Sequence, residues 1–102
     1  MDNYEIEQTL LGKLIVNPEL IDKYSQLLHK DLFEDPFNKS TFHAIMDLKS
    51  KNRTIDILTI SKLIKGDNVI LNLSYMTDKA FDFTELITCI GILTEEFQKR
   101  TL

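Results

Sequence analysis

The sequence has little of several residue types whose abundance would define a protein class. It contains one cysteine, no tryptophan, three glycines and two prolines in 102 residues. The single cysteine, Cys89, cannot form an intramolecular disulfide, so a disulfide-stapled extracellular scaffold is excluded. No apolar run approaches the ~18 residues of a membrane-spanning helix, and the acidic N-terminus does not resemble a secretory signal. These absences predict a soluble, cytoplasmic domain without membrane contact.

The composition is that of a globular protein. Apolar residues make up 43% of the chain and charged residues 27%, too apolar for disorder and too charged for a membrane protein. The length predicts a single domain over residues 1–102. The net charge of −4 disfavours tight binding to a polyanion such as DNA. Residues 36–66 are locally basic, with six basic and two acidic side chains, and leave open a weak nucleic-acid interaction.

Hydrophobic periodicity predicts an all-α fold, a compact bundle of about six helices. The first helix covers about residues 4–16. Asn17 is predicted to cap the second helix, with Pro18 in its first turn. The buried stripe of that helix consists of Leu20, Ile21, Tyr24, Leu27 and Leu28. A loop anchored by Leu32 and Phe33 follows.

The third helix is predicted to start at Pro36 and to run to about Ser50. Asp56 is the predicted N-cap of the fourth helix, which extends to about Lys65. Gly66 then takes the position of a left-handed C-terminal cap.

Two further helices are predicted over about residues 70–79 and 83–100. The shorter one carries more apolar side chains than one helix face can bury, so part of this apolar surface should stay exposed. The longer one is predicted to be capped by Asp82 or Thr84. The predicted buried face of this helix consists of Phe83, Leu86, Ile87, Ile90, Leu93 and Phe97.

No catalytic, cofactor or metal site is predicted. His29 and His43 are fourteen residues apart, and neither has the further ligands of a structural metal site. His29 is expected at the end of helix two, where its cationic form would offset the helix dipole. Cys89 has no base in register and is predicted to be a small buried residue. The glycines are isolated, so no phosphate-binding loop is present.

The remaining charged and aromatic clusters fit ordinary structural roles. Acidic pairs at residues 34–35 and 95–96 are predicted to be solvent-exposed, because neighbours on a helix point apart. The basic cluster at residues 49–53 contains no aromatic residue for base stacking and fits a solvated helix end. Helical spacing predicts that most of five further apolar residues lie in the core, although they could instead line a groove for a partner. These residues are Phe42, Met46, Met76, Phe81 and Phe83.

Several stretches, in order, resemble the N-terminal domain of replicative DNA helicases of the DnaB family. Residues 5–12 read EIEQTLLG and are similar to the family's opening helix, Glu-x-Glu-Gln-x-x-Leu-Gly. Residues 33–42 resemble the segment that joins an aromatic pair to an Ile-Phe pair on helix three, whose places Thr41 and Phe42 take here. Residues 55–60, IDILTI, resemble the family's Ile-Asp-Leu-Val-Thr-Leu. Tyr75 followed by methionine is similar to a Tyr-Leu pair on helix five, and residues 95–100 match the charged end of helix six.

The departures from the family pattern indicate a divergent member, of phage or mobile-element type. Residues 71–73 read Leu-Asn-Leu where the family usually has Gly-Gly, and the loop between Asp56 and Tyr75 is shorter. The resemblance implies a domain that is not itself an enzyme and holds no cofactor. The helical hairpin of the family and its ATPase domain, with ATP and Mg²⁺, are expected outside residues 1–102.

The resemblance also implies a role in ring assembly and primase docking. The partners would be the C-terminal helicase-binding region of primase and other helicase subunits, with DNA contacted only weakly or indirectly. Glu5 and Tyr75 match positions implicated in primase contact. Taken alone, Glu5 also fits a helix-dipole partner, and Tyr75 fits a core position with its hydroxyl at the surface. Two alternatives stay open: a stand-alone phage-type regulator that mimics this domain, and a small helical nucleic-acid-binding module.

Overall fold

The fold of residues 2–102, the part that the computed structural model describes, is built from helices alone. This confirms the predicted all-α class. The six α-helices are α1 (Asn3–Val16), α2 (Glu19–Lys23), α3 (Pro36–Ser50), α4 (Ile57–Ser61), α5 (Val69–Lys79) and α6 (Leu86–Arg100), and a short 3-10 helix spans Lys30–Leu32. None of the helices in this part of the chain is long and apolar enough to cross a membrane.

The first helix, α1, is the centre of the bundle. Residues 6–12 are all buried, as are Leu14 and Ile15. A helix that is buried around its whole circumference needs neighbours on every side, and α2, α3, α5 and α6 all pack against α1. The other helices are therefore arranged around it.

The helices α1 and α5 approach each other closely at Gly12. A Cβ atom on Gly12 would lie 1.9 Å from the carbonyl oxygen of Met76, so only glycine fits at this position. One residue further along, Lys13 Nζ donates hydrogen bonds to the carbonyl oxygens of Ala80, at 3.0 Å, and Asp82, at 2.8 Å. These contacts join α1 to α5 and to the loop that follows α5.

The helices predicted over residues 4–16, 36–50 and 70–79 are confirmed. Asp35 is the N-cap of α3, and its side chain accepts a hydrogen bond from the backbone N–H of Asn38 at 3.0 Å. The loop before α3 contains the short 3-10 helix, and Leu32 and Phe33 anchor it in the core as predicted.

The prediction for the second helix was wrong at both ends. Its N-cap is Pro18 rather than Asn17, and no side chain caps it. The helix contains only five residues, with Tyr24 as its C-cap. In the turn that follows, the carbonyl of Tyr24 accepts hydrogen bonds from the N–H groups of both Leu27 and Leu28. This turn directs Leu28 into the core and leaves Leu27 exposed.

The fourth helix begins as predicted and ends early. Asp56 and Thr59 form a capping box at its start. The helix stops at Ser61, whose hydroxyl donates to the carbonyl of Leu58 and so competes with the backbone for an acceptor. Gly66 is therefore not a helix cap, and that prediction was wrong. It lies in the following loop with φ +141°, a value that favours glycine.

The last helix begins three residues later than predicted. Its N-cap is Glu85, without a side-chain hydrogen bond, so neither Asp82 nor Thr84 caps it. Instead, Asp82 Oδ1 accepts a hydrogen bond from the Thr84 N–H at 2.7 Å. This contact closes a separate turn ahead of α6.

The same turn changes which aromatic residues are buried. It holds Phe81 and Phe83 outside the helices, and both are exposed, against the prediction that they join the core. Ile87, in the first turn of α6, is exposed as well. Phe42 and Met76 lie in the core as predicted.

Gly12→Ala should lower the free energy of unfolding by about 3 kcal/mol, because a methyl group on α1 forces α5 away. Urea unfolding followed by circular dichroism measures the change. Gly91→Ala is the matched control: a Cβ at this exposed position in α6 meets nothing within 4 Å, so the variant should gain about 0.5–1 kcal/mol. A Gly12→Ala protein as stable as wild type would contradict the close approach.

Candidate partner-binding surface

A shallow groove between α1 and α5 presents two tyrosine rings. It is lined by Tyr4, Gln8, Asn72, Tyr75, Asp78 and Lys79. Tyr75 is 53% exposed and Tyr4 is 44% exposed. Gln8 Nε2 donates a hydrogen bond to Tyr4 Oη at 3.1 Å, which restrains the Tyr4 ring. Both rings are therefore accessible and stand on two tightly packed helices.

The outer face of α5 extends this surface. Leu71 lies one turn before Tyr75 on the same face, and both are about half exposed, as is the neighbouring Ile70. The exposure arises because α5 buries only Val69, Leu73 and Met76. The prediction that part of the apolar surface of residues 70–79 stays exposed is confirmed. Aromatic surface of this kind with a polar rim is typical of protein-binding sites.

Glu5 lies beside this groove and does not line it. It is partly buried, in the first turn of α1. Its backbone N–H donates to Asp2 Oδ1 at 2.9 Å, and its carbonyl accepts from the Thr9 hydroxyl at 2.9 Å. Its position one residue from Tyr4 is compatible with a partner contact and with a dipole role. The binding roles of Glu5 and Tyr75 stay predictions.

The polar residue that the sequence analysis missed is Glu7, which is 2% exposed. Its Oε2 accepts from the Glu34 N–H at 3.1 Å, and its Oε1 accepts from the Asp35 N–H at 3.4 Å and from Asn38 Nδ2 at 3.1 Å. Glu7 thereby ties α1 to the start of α3. Burial raises the pKa of this carboxyl, and the three hydrogen bonds offset the rise only in part. The sequence contains one signal of this burial: Glu7 follows the apolar Ile6 in a helix with apolar residues on several sides, so a charged side chain there can be enclosed.

The other candidate residues do not form a site. Within residues 2–102, no group of three or more His, Cys, Asp or Glu side chains is placed to hold a metal ion. His29 was predicted to lie at the end of the second helix, and this prediction was wrong, because α2 ends at Lys23. The His29 ring packs edge-to-face on Phe97, with centroids 5.6 Å apart. His43 is exposed on α3. Cys89 is buried, as predicted, and burial raises the pKa of its thiol.

The basic cluster at residues 49–53 is partly neutralised by acidic neighbours. Lys49 Nζ lies 2.9 Å from Asp22 Oδ2, and Lys51 Nζ lies 3.1 Å from Asp47 Oδ2. Two of its three cations are therefore engaged within the fold. This pairing reduces the positive charge that the cluster offers to a phosphate backbone.

Residues 2–102 thus form a small helical domain with an exposed aromatic groove between α1 and α5. Comparison with known proteins identifies the family of this domain: residues 1–90 match the DnaB-like helicase N terminal domain. The chain belongs to this family, and the resemblance drawn from the sequence is confirmed.

Individual relatives agree with the family match. The chain is 33% identical over 106 residues to the replicative DNA helicase DnaB of Rhodothermus marinus, which covers 96% of this chain. It is 22% identical over 106 residues to the replicative DNA helicase DnaB of Nostoc sp., and 24% identical over 102 residues to that of Rickettsia conorii, covering 98% and 88% of this chain. The chain spans only 11%, 12% and 21% of the lengths of these three helicases.

Glu7 should make the stability of the domain depend on pH. Because burial holds its pKa above the ordinary value of 4.5, the folded protein binds more protons than the unfolded chain between the two pKa values. The contribution of Glu7 is complete below pH 4.5 and is lost as the pH rises through the folded-state pKa. Wild type should therefore lose stability relative to Glu7→Gln as the pH rises from about 4 to 7.

Free energies of unfolding in urea, measured for both proteins across this pH range, test the effect. Glu95→Gln removes an exposed carboxylate on α6 and controls for the change in net charge. A difference between wild type and Glu7→Gln that does not vary with pH would contradict the prediction.

Proposed function

We propose that this domain serves a replicative DNA helicase, in which it docks the C-terminal helicase-binding region of primase and assembles with other helicase subunits. The observation that most supports the docking role is the half-exposed ring of Tyr75 in the groove between α1 and α5. Membership in the DnaB-like helicase N terminal domain family supplies the context.

The groove has the properties of a docking site for a folded partner. An aromatic ring with a polar tip gains affinity by burial and still satisfies its hydroxyl at an interface rim. The base of the groove is stiff, because α1 and α5 are in contact at Gly12. Binding to a stiff surface costs little ordering entropy. Asp78 and Lys79 place one negative and one positive charge beside Tyr75. Complementary charges on a partner can fix the position in which it binds along the groove.

In this proposal the domain is not an enzyme. ATP and Mg²⁺ act in the helicase domain, which lies outside residues 1–102. The domain contributes contacts between proteins and works in the cytoplasm with the rest of the replication machinery.

Tyr75→Ala should weaken binding to the C-terminal region of a cognate primase about thirtyfold, because truncating an interface anchor costs on the order of 2 kcal/mol. The variant should melt close to wild type, since Tyr75 is 53% exposed. Titration calorimetry paired with thermal melts measures both properties.

Two variants sharpen this experiment. Tyr75→Phe keeps the ring and should retain most of the affinity, whereas Leu58→Ala truncates an exposed side chain on α4 and should leave primase binding unchanged. If Tyr75→Ala melts like wild type and binds primase equally well, the groove is not the docking site. If it unfolds, Tyr75 has a structural role, which contradicts its assignment as an exposed interface anchor and leaves the docking surface unassigned.

DNA binding by the isolated domain should be weak. The net charge is −4, and acidic partners engage Lys49 and Lys51. A cluster of three cations releases only about three counterions. Fluorescence anisotropy with labelled DNA at physiological salt should therefore give a dissociation constant above about 1 μM. Tighter binding that is lost on reversing the charges at residues 49, 51 and 53 would support the nucleic-acid-binding module instead.

A further inference from the structure

A second open groove, with a volume of about 770 Å³, lies on α3. Most of its lining belongs to α3, and Lys30 from the short 3-10 helix and Leu63 from the turn after α4 complete it. It shares no lining residue with the groove between α1 and α5 that holds Tyr75, the Tyr75 groove. We name it the α3 groove; its main lining residues are Lys30, Lys39, Phe42, Met46, Asp47 and Leu63.

Apolar side chains form part of the α3 groove and are partly open to solvent. The Phe42 ring is the buried part: it is 5% exposed and packs on Phe33, with ring centroids 4.9 Å apart. Met46 is half-buried, and Leu63 is 48% exposed. Leu63 lies in the turn after α4, where its N–H donates to the carbonyl of Ile60 at 2.9 Å. Apolar side chains of a ligand that cover Met46 and Leu63 therefore gain free energy by removing this surface from water.

The free charge of the α3 groove is positive, although the chain carries a net charge of −4. Lys30 and Lys39 are exposed, and neither belongs to an ion pair within residues 2–102. The acidic residue of the lining, Asp47, is already engaged, because Lys51 Nζ lies 3.1 Å from its Oδ2. The α3 groove is therefore complementary to a ligand that carries negative charge as well as apolar groups.

We propose that the α3 groove binds an acidic, amphipathic peptide segment of a partner protein. The carboxylates of this segment pair with Lys30 and Lys39, and its apolar side chains cover Met46 and Leu63. A nucleic acid would use only the charge of the groove: two lysines release about two counterions, and the Phe42 ring is too buried to stack on a base. The inference does not depend on primase docking, because the α3 groove and the Tyr75 groove have no residue in common.

Peptide selection tests the composition of the ligand. A displayed library of random peptides of about twelve residues, roughly three helical turns, is passed first over the double variant Lys30→Glu, Lys39→Glu and then over wild type. The first step removes peptides that bind elsewhere on the domain. The peptides that wild type retains should be enriched in Asp and Glu together with Leu, Met or Phe. Both lysines are exposed, so the double variant should fold, which circular dichroism checks.

Fluorescence anisotropy with the tightest selected peptide measures what each part of the groove contributes. Wild type should bind it with a dissociation constant on the order of 10 μM. Lys39→Glu and Leu63→Ser should each raise this constant at least about tenfold, and added salt should weaken binding because it screens the ion pairs. Lys23→Glu is the matched control: it reverses the charge of an exposed lysine on α2, outside the groove, and should bind like wild type. Tyr75→Ala should also bind like wild type, which separates this site from the Tyr75 groove.

Each outcome decides for or against the acidic peptide. Selected peptides that are both acidic and apolar, and that bind weakly to Lys39→Glu and to Leu63→Ser, support the proposal. It is overturned if no peptide survives the first step, if the selected peptides lack acidic residues, or if either variant binds them as tightly as wild type. A single-stranded oligonucleotide of equal charge that displaces the peptide at the same concentration would assign the groove to nucleic acid instead.

Discussion

The contact of Gly12 with the carbonyl of Met76 underlies both the Tyr75 groove and the position of the loop after α5. Because no side chain separates α1 from α5 at this point, Tyr4 and Tyr75 come to line one groove. The same approach brings Lys13 within hydrogen-bond distance of the carbonyls of Ala80 and Asp82. The absence of a Cβ atom at Gly12 thus allows both the groove lined by Tyr4 and Tyr75 and the contacts of Lys13 with the loop after α5.

The long helices could be predicted from the sequence, and the short ones could not. Helices of eleven to fifteen residues, such as α3 and α5, repeat their apolar spacing often enough to be recognised. The helices α2 and α4 contain five residues each, too few to repeat an apolar spacing. The turn bonds at their ends, from Leu27 and Leu28 to Tyr24 and from the Ser61 hydroxyl to Leu58, leave no trace in hydrophobic periodicity.

The candidate site was predictable to the same limited degree. The exposure of Tyr75 followed from counting apolar residues on a short helix, which cannot bury them all. The role of Glu7 could not be predicted in this way, because its carboxylate oxygens accept hydrogen bonds from N–H groups 27 to 31 residues away in the sequence. The exposure of Phe83 was not predicted either. The turn closed by the hydrogen bond between Asp82 and Thr84 interrupts an apolar helical spacing that continues without a break in the sequence.

The central position of α1 makes the domain one cooperative unit. Every large helix packs on α1, and Arg100 at the end of α6 donates to the carbonyl of Asp31, 69 residues earlier. None of α2, α3, α5 and α6 can detach without exposing apolar surface of α1, so opening any of these helices is costly. Any ligand that bound the folded domain at the Tyr75 groove would slow hydrogen exchange of the amides that open only on global unfolding, since its binding free energy adds to the stability of the fold.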